Sequence, residues 1–501
     1  MALRSPTTSG HNRLSTAHGA GAGDPWRRPA GALRAVLASA VLGGACYVAF
    51  GPGYVNHDAA YSLLWGRDIA HAVMPHYRLV GAPTPHPLSN LVGAVLTPLR
   101  GHAQAGLSLL GWLALGALGY ATYLVGSRAL GSLVGSLGVV ITLTRDTVLF
   151  HAGLAYLDIP YAALVVGAVA MELRERRRGV PVLLLLAAAG LLRPDAWLLA
   201  LGYVAYLGQE ETTQRRVTLL VLALSAPVAW ALADLVVTGD PLYSFVTAQE
   251  GTRLLGRPAG AERFVLEGPR SLGQALRPAI AGAAAAGVVL SLVLLRRRVL
   301  ILCAAVAVLL ASSGLLAAGG TPIGARYMLP TIALLSVAAA GALLGWRGLR
   351  PGRGRSVWMA VAVALTSATV VLAPSQFRRL RSAHAQVASE RTLRNELRRL
   401  LAQSPLSPRC GPVTAASPAI IPLIGLATDV PYAAIRTGPE LRTSGAGYFV
   451  EGSERAQEEI FSRPLPSGRR TFALPLLTRP PGVRLLSESE NWRVLARCSG
   501  P

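Results

Sequence analysis

Lysine is missing from this chain: all 48 of its basic residues are arginine, set against 25 acidic ones, for a net charge of +23. Charge of either sign is scarce at 15% of residues, while 52% are hydrophobic, a balance that excludes an ordinary water-soluble domain. The first 30 residues hold no apolar run, so they read as a disordered cytoplasmic tail rather than a secretory leader. No repeat with a period of 20–50 residues is evident, which speaks against the many transporters built from duplicated halves. Only four cysteines are present. Cys46 and Cys303 fall in apolar runs and read as small packed residues, whereas Cys410 and Cys498 both fall near the C-terminus, beyond the last such run.

What the chain does have is apolar runs, most of them about 16 to 23 residues long, the length that crosses hydrocarbon, with two shorter ones on either side of Arg193-Pro194. They lie at 31–50, 104–126, 131–149, 158–173, 180–192, 195–208, 217–237, 279–295, 299–318, 330–346 and 356–373, about eleven spans in an all-α polytopic membrane protein. The run at 31–50 is longer than a leader's apolar core and has no clear cleavage site, so it reads as a retained first span. A chain so rich in arginine raises the question of nucleic acid. Here, however, the clusters Arg174/Arg176/Arg177/Arg178, Arg215/Arg216, Arg296–Arg298 and Arg347/Arg350/Arg353/Arg355 sit in alternate loops. The positive-inside rule accounts for them, and no nucleic-acid partner is expected. The N-terminus is then cytoplasmic and everything beyond 373 extracytoplasmic. The weakest stretch is 180–208, interrupted by Arg193-Pro194-Asp195, which reads as two short helices meeting at the outer face.

Three regions follow: the tail at 1–30, a transmembrane module at 31–373 and an extracytoplasmic domain at 374–501. Within the module, a long first outer loop at 51–103 carries Asn56-His57-Asp58-Ala59-Ala60-Tyr61. From Asp58 to Val73 apolar residues recur at helical spacing and suggest a surface helix ended by Pro75, and Leu88 to Leu99 suggests a second. Phe377 to Gln403 reads as an amphipathic helix, its leucines either on the membrane surface or on its own domain. Beyond it, short apolar pieces (Val413–Ala416, Thr471–Leu477 and Trp492–Ala496) alternate with Pro and Gly turns, as in a small α/β domain. Cys410 and Cys498 bracket that domain in a compartment that permits disulfides, and are expected to pair.

The candidate chemistry lies on the outer face: Asp58, Asp158 in Tyr156-Leu157-Asp158-Ile159-Pro160, Arg193 with Asp195, and Arg326 in Arg326-Tyr327-Met328-Leu329-Pro330. A carboxylate at a membrane face is costly to keep without a task. Carboxylates that deprotonate a hydroxyl, with guanidiniums that grip a phosphate in a fork, are what sugar transfer from a lipid phosphate requires. Each residue also has a plainer reading. Asp58 and Asp158 could each cap a helix, Arg326 could snorkel to the interface, and His76 and His86 could be surface loop histidines.

Taken in order, these segments resemble glycosyltransferases of the GT-C fold, close to the polyprenyl-phosphate-sugar-dependent group that includes protein O-mannosyltransferases and lipid A aminoarabinose transferases. The resemblance covers roughly residues 31–373 and rests on Asp58 with Tyr61 in the first outer loop, Leu157-Asp158-Ile159-Pro160, Leu192-Arg193-Pro194-Asp195-Ala196-Trp197, and Arg326-Tyr327-Met328-Leu329-Pro330. It implies a polyprenyl-phosphate-linked sugar donor and an extracytoplasmic acceptor hydroxyl on a protein, glycolipid or envelope polysaccharide. Asp58 would be the base, with Arg193, Arg326, Asp158, His57, Tyr61 and His86 on the substrate side. Many relatives carry two adjacent acids where this chain has His57-Asp58. No cofactor is required by the pattern, and a divalent metal ion is left open, since one carboxylate and one imidazole make a poor ligand set. A lipid transporter or flippase, or a non-catalytic envelope-assembly scaffold, are the rival classes.

Overall fold

The computed structural model describes residues 29–498 except 209–211, 405, 407–409, 438–446, 462, 465–469 and 472–482. Nearly all of the expected tail, and most of the Thr471–Leu477 piece, lie outside the described residues. In chain order the helices are α1 (Pro29–Phe50), α2 (His57–Ala70), α3 (Pro87–Leu96), α4 (Ala103–Leu130), α5 (Ser132–Leu143), α6 (Asp146–Gly153), α7 (Asp158–Arg174), α8 (Val180–Gly190) and α9 (Asp195–Leu207). Then come α10 (Thr213–Thr238), α11 (Tyr243–Leu254), α12 (Ala261–Leu276), α13 (Pro278–Leu294), α14 (Arg296–Ala318), α15 (Leu329–Leu344), α16 (Arg353–Gln403) and α17 (Ile421–Ala427).

A helix covers each of the eleven apolar stretches. Among the described residues six helical segments are long and apolar enough to cross a bilayer alone, and eight if two bent pairs each count as one span. One bent pair is α5 with α6, at 62°, and the other α12 with α13, at 110°. The Arg193 region is a turn between two short helices, α8 and α9, as expected.

Burial sorts the bundle into a centre and a rim. The apolar window of α15 is 83% buried, against 11% for α1 and 22% for α10 and α14. Around α15 pack α4, α5, α7 and α13, while the rim helices turn Val36, Val41, Val221, Val236, Val363 and Val371 outward. Such outward apolar faces are what lipid, rather than water, permits.

The first loop and the C-terminal domain form one cap. Gly66 of α2 and Gly93 of α3 let the two backbones touch: a Cβ on Gly66 would stand 2.3 Å from Ala94 N, and one on Gly93 2.2 Å from Ser62 O. α16 runs unbroken for 51 residues, straight through Pro374, so the boundary expected at 373/374 falls inside a single helix. Its distal half buries Leu393, Leu397, Leu400 and Leu401 against the domain rather than a membrane surface. The domain's strands are β1 (Val413–Ala415), β2 (Arg436–Thr437), β3 (Gly447–Gly452), a small β4–β5 pair (Arg463–Pro464 with Arg470–Thr471), β6 (Arg484–Glu488) and β7 (Trp492–Arg497). The main sheet runs β2-β1-β3-β7-β6, parallel on the β1 side and antiparallel from β3 to β6. Trp492 Nε1 donates to Leu393 O at 2.9 Å, locking β7 to α16. Cys410 and Cys498 are joined across a separation of 88 residues.

Candidate active site

The site begins with a cap. Asn56 is the N-cap of α2, its side chain accepting from Ala59 N at 2.9 Å while its amide donates to Leu154 O at 2.9 Å. That arrangement satisfies the orphan donors of the helix start and pins it to the α6–α7 turn. Asp58, in the first turn of the helix, is thereby released from capping. Its carboxylate stands 3.8 Å from Arg326 Nη1, with about a quarter of each side chain exposed (27% and 23%).

The same turn of the bundle supplies the rest. Asp158 opens α7 without capping it, and Arg193 Nη1 donates to its carboxylate at 2.6 Å. Nε of Arg193 donates to Asp195 at 3.1 Å, and Nη2 lies at the same distance from that oxygen. The fork of Arg193 is thus filled by two buried carboxylates. Arg193, expected on the substrate side, here ties the α8–α9 turn to the start of α7 through these two carboxylates. The Tyr327 ring has both guanidiniums over it, Arg193 at 4.5 Å and Arg326 at 4.6 Å, and its hydroxyl accepts from Arg326 at 2.7 Å. Arg326 also lies 5.2 Å over Tyr156, so aromatic faces stabilise two cations near each other.

Electrostatics keep Asp58 ionised. Burial alone would raise its pKa, but Arg326 first, then His57, Arg257 and His86, hold the carboxyl below the usual carboxylate range. Arg257, on the loop between α11 and α12, has no local sequence signal. That loop is tied down by Ile323 N donating to Pro258 O at 2.8 Å, and among the described residues Arg257 makes no salt bridge.

The histidines separate. His86 lies near Asp58, Arg193 and Asp158, and burial and then the Arg193 charge push its pKa down to about 4. It is a neutral group of the site rather than a surface histidine, and its Nδ1 has no hydrogen-bond partner. His57 is a tether. Its Nε2 is 2.8 Å from Gly81 O and its Nδ1 3.4 Å from Ala419 O, joining α2 to the loop and the C-terminal domain. Burial lowers its pKa despite the neighbouring Asp58. Tyr61 does not reach the cluster: it is fully buried between Trp65 and Tyr432 in the core shared by α2 and the C-terminal domain. Among the described residues no three His, Cys, Asp or Glu side chains converge as metal ligands, and His57-Asp58, with Nε2 of the imidazole at hydrogen-bond distance from Gly81 O, does not make such a set.

The helical bundle with its capping loop and small C-terminal sheet domain has a GT-C-like membrane fold, on its likeness to a solved structure. Among solved structures the chain is similar to the aminoarabinose transferase ArnT of Cupriavidus metallidurans. The form bound to undecaprenyl phosphate aligns with a TM-score of 0.58 at 13% identity, over 93% of this chain and 97% of that one. The apo form gives 0.53 at 14% identity with the same coverage. No family model and no curated protein sequence matches the chain.

Proposed function

We propose that the chain is a membrane glycosyltransferase that moves a sugar from a polyprenyl-phosphate donor to an acceptor hydroxyl, with the site on the extracytoplasmic side. The observation that carries this reading is Asp58. It is an uncapped, partly open, ionised carboxylate facing an arginine, at the mouth of a fold shared with a protein crystallised with undecaprenyl phosphate.

In the reaction, the acceptor oxygen attacks the anomeric carbon as its O–H proton passes to Asp58. The bond from that carbon to the phosphate oxygen breaks, and polyprenyl phosphate leaves with the electron pair. Arg326, paired to Asp58 only at 3.8 Å, and Arg257 have donors to offer the phosphate as its charge grows. Arg193, Asp158 and Asp195 hold the frame, and neutral His86 can donate or accept a hydrogen bond without adding charge. Because Asp58 is held acidic, it acts as a weak base, suited to a transition state in which the anomeric carbon is already strongly cationic. The arginine loops between spans support a cytoplasmic N-terminus and an extracytoplasmic C-terminal domain.

The test is sugar transfer by membranes carrying the wild-type chain or Asp58→Asn, given a polyprenyl-phosphate sugar. Transfer should be lost in the variant with insertion unchanged. Full transfer by Asp58→Asn would remove the base from this scheme.

A further inference from the structure

An open hollow of about 250 Å³ lies between α6 and the part of α16 just beyond Pro374. Its walls are Asp146, Thr147 and Phe150 of α6 and Arg379, Ser382 and Gln386 of α16. The geometry has local causes. α6 is bent 62° away from α5, so its polar first turn leaves the apolar bundle. On α16, Arg379, Ser382 and Gln386 follow one another at three- and four-residue steps and so share a face.

The chemistry of these walls is selective. Asp146 is anchored through one oxygen, Oδ2, by Arg277, while its other oxygen, Oδ1, is buried and accepts no hydrogen bond. Across the hollow stand the exposed guanidinium of Arg379 and the amide of Gln386, which is itself steadied by Glu390 Oε1 at 3.3 Å. Two hydroxyls, Thr147 and Ser382, and the Phe150 ring complete the lining. A simple anion would meet the negative charge of Asp146 in the wall, and an alkyl chain would leave every polar group unpaired. A sugar ring suits all of them: its hydroxyls donate to Asp146 and accept from Arg379 and Gln386, and its C–H face lies against Phe150. At about 250 Å³ the hollow is slightly smaller than sites for drug-sized ligands, a size that suits one or two rings.

Its position connects it to the reaction. His151 also lines the hollow, and its ring lies 5.2 Å from Tyr156, the same ring that has Arg326 over it at 5.2 Å. We infer that this hollow is the acceptor subsite and that the acceptor is a glycoconjugate whose sugar ring it holds, rather than a bare peptide hydroxyl. This rests on the transferase reading above for the word acceptor, but not for the binding itself.

The experiment is saturation-transfer NMR on the full-length protein in detergent. The probes are methyl mannoside, methyl galactoside and methyl arabinoside, with inorganic phosphate and a short Ser/Thr peptide as counter-probes. At least one glycoside should receive saturation. Ser382→Trp, which fills the hollow from an exposed position, and Phe150→Ala should each weaken that binding about tenfold or more. The inference is overturned if no glycoside binds, if Ser382→Trp binds as the wild type does, or if only the peptide or phosphate is displaced by that change. The two readings fail separately. Glycoside binding in the hollow without any sugar transfer would remove the transferase and keep the site. Wild-type transfer with an unchanged acceptor KM in Ser382→Trp would do the reverse.

Discussion

Replacing Arg326 by Gln separates two jobs that one guanidinium performs. The first is to hold Asp58 ionised. At 3.8 Å a charge pair is worth about 1 kcal/mol in water and about 4 kcal/mol at an effective dielectric of 20. With about a quarter of each side chain open, the value lies between those limits, and about 1.4 kcal/mol corresponds to one pKa unit. The Asp58 pKa is depressed, so its base form is present above that pKa and is lost as pH falls through it. Removing Arg326 leaves burial to raise it, and the acid limb of the pH–rate profile should move to higher pH. The second job is the phosphate contact, whose loss should lower the plateau at neutral pH by about 2–4 kcal/mol of transition-state stabilisation. Arg326→Lys tells the two apart. The ammonium keeps the charge, so the acid limb should stay near its place, but the planar fork is gone and the plateau should remain low. The assay is transfer from a polyprenyl-phosphate sugar in proteoliposomes, followed from the acid range to neutral pH. An acid limb that does not move in Arg326→Gln would refute the coupling of Asp58 to Arg326, and an unchanged plateau would make Arg326 a mere interfacial anchor.

Three further outcomes follow from the geometry. Arg193→Lys cannot reproduce a fork that bonds Asp158 and Asp195 together, and leaves buried carboxylates under-satisfied. It should cost about 3–5 kcal/mol of stability, seen as a large drop in thermal midpoint, whereas Arg326→Lys should leave that midpoint nearly unchanged. Cys410 and Cys498 should resist thiol labelling until reduced, and reduction should destabilise the C-terminal domain by roughly 4–5 kcal/mol; prompt labelling in intact cells would contradict the bond. Tags at Gly348 and at the C-terminus should report opposite sides of the membrane, since the arginine loop before α16 belongs inside; both on one side would refute the orientation.

The fold was legible because its evidence is one-dimensional. Apolar run length and arginine clusters need no knowledge of contacts, and each of the eleven stretches carries a helix, including the α8–α9 turn at Pro194. Asp58, Asp158, Arg193 and Arg326 were legible as polar residues at the ends of apolar runs, and the structure gathers them at one end of the bundle. What the sequence could not give was partnership. Arg193 looks as free as Arg326 until Asp158, 35 residues away, is seen to fill its fork. Arg257 sits in a loop without a motif and reaches Asp58 only through the packing of α11 and α12 on the bundle. Tyr61 follows Asp58 by three residues, yet the helix turns it into the C-terminal domain's core, because the partner surface, Tyr432, is 371 residues downstream. At 373 hydropathy changes while the helix does not, so α16 runs from the bundle into the C-terminal part without a break.

The most direct test follows the fate of the donor's glycosyl–phosphate bond. Purified protein in liposomes should consume a polyprenyl-phosphate sugar and release polyprenyl phosphate in step with sugar appearing on an acceptor, and Asp58→Asn should release none. A wild-type protein that carries the intact lipid-linked sugar across the bilayer, with the bond to phosphate unbroken, would contradict the account and make the chain a transporter.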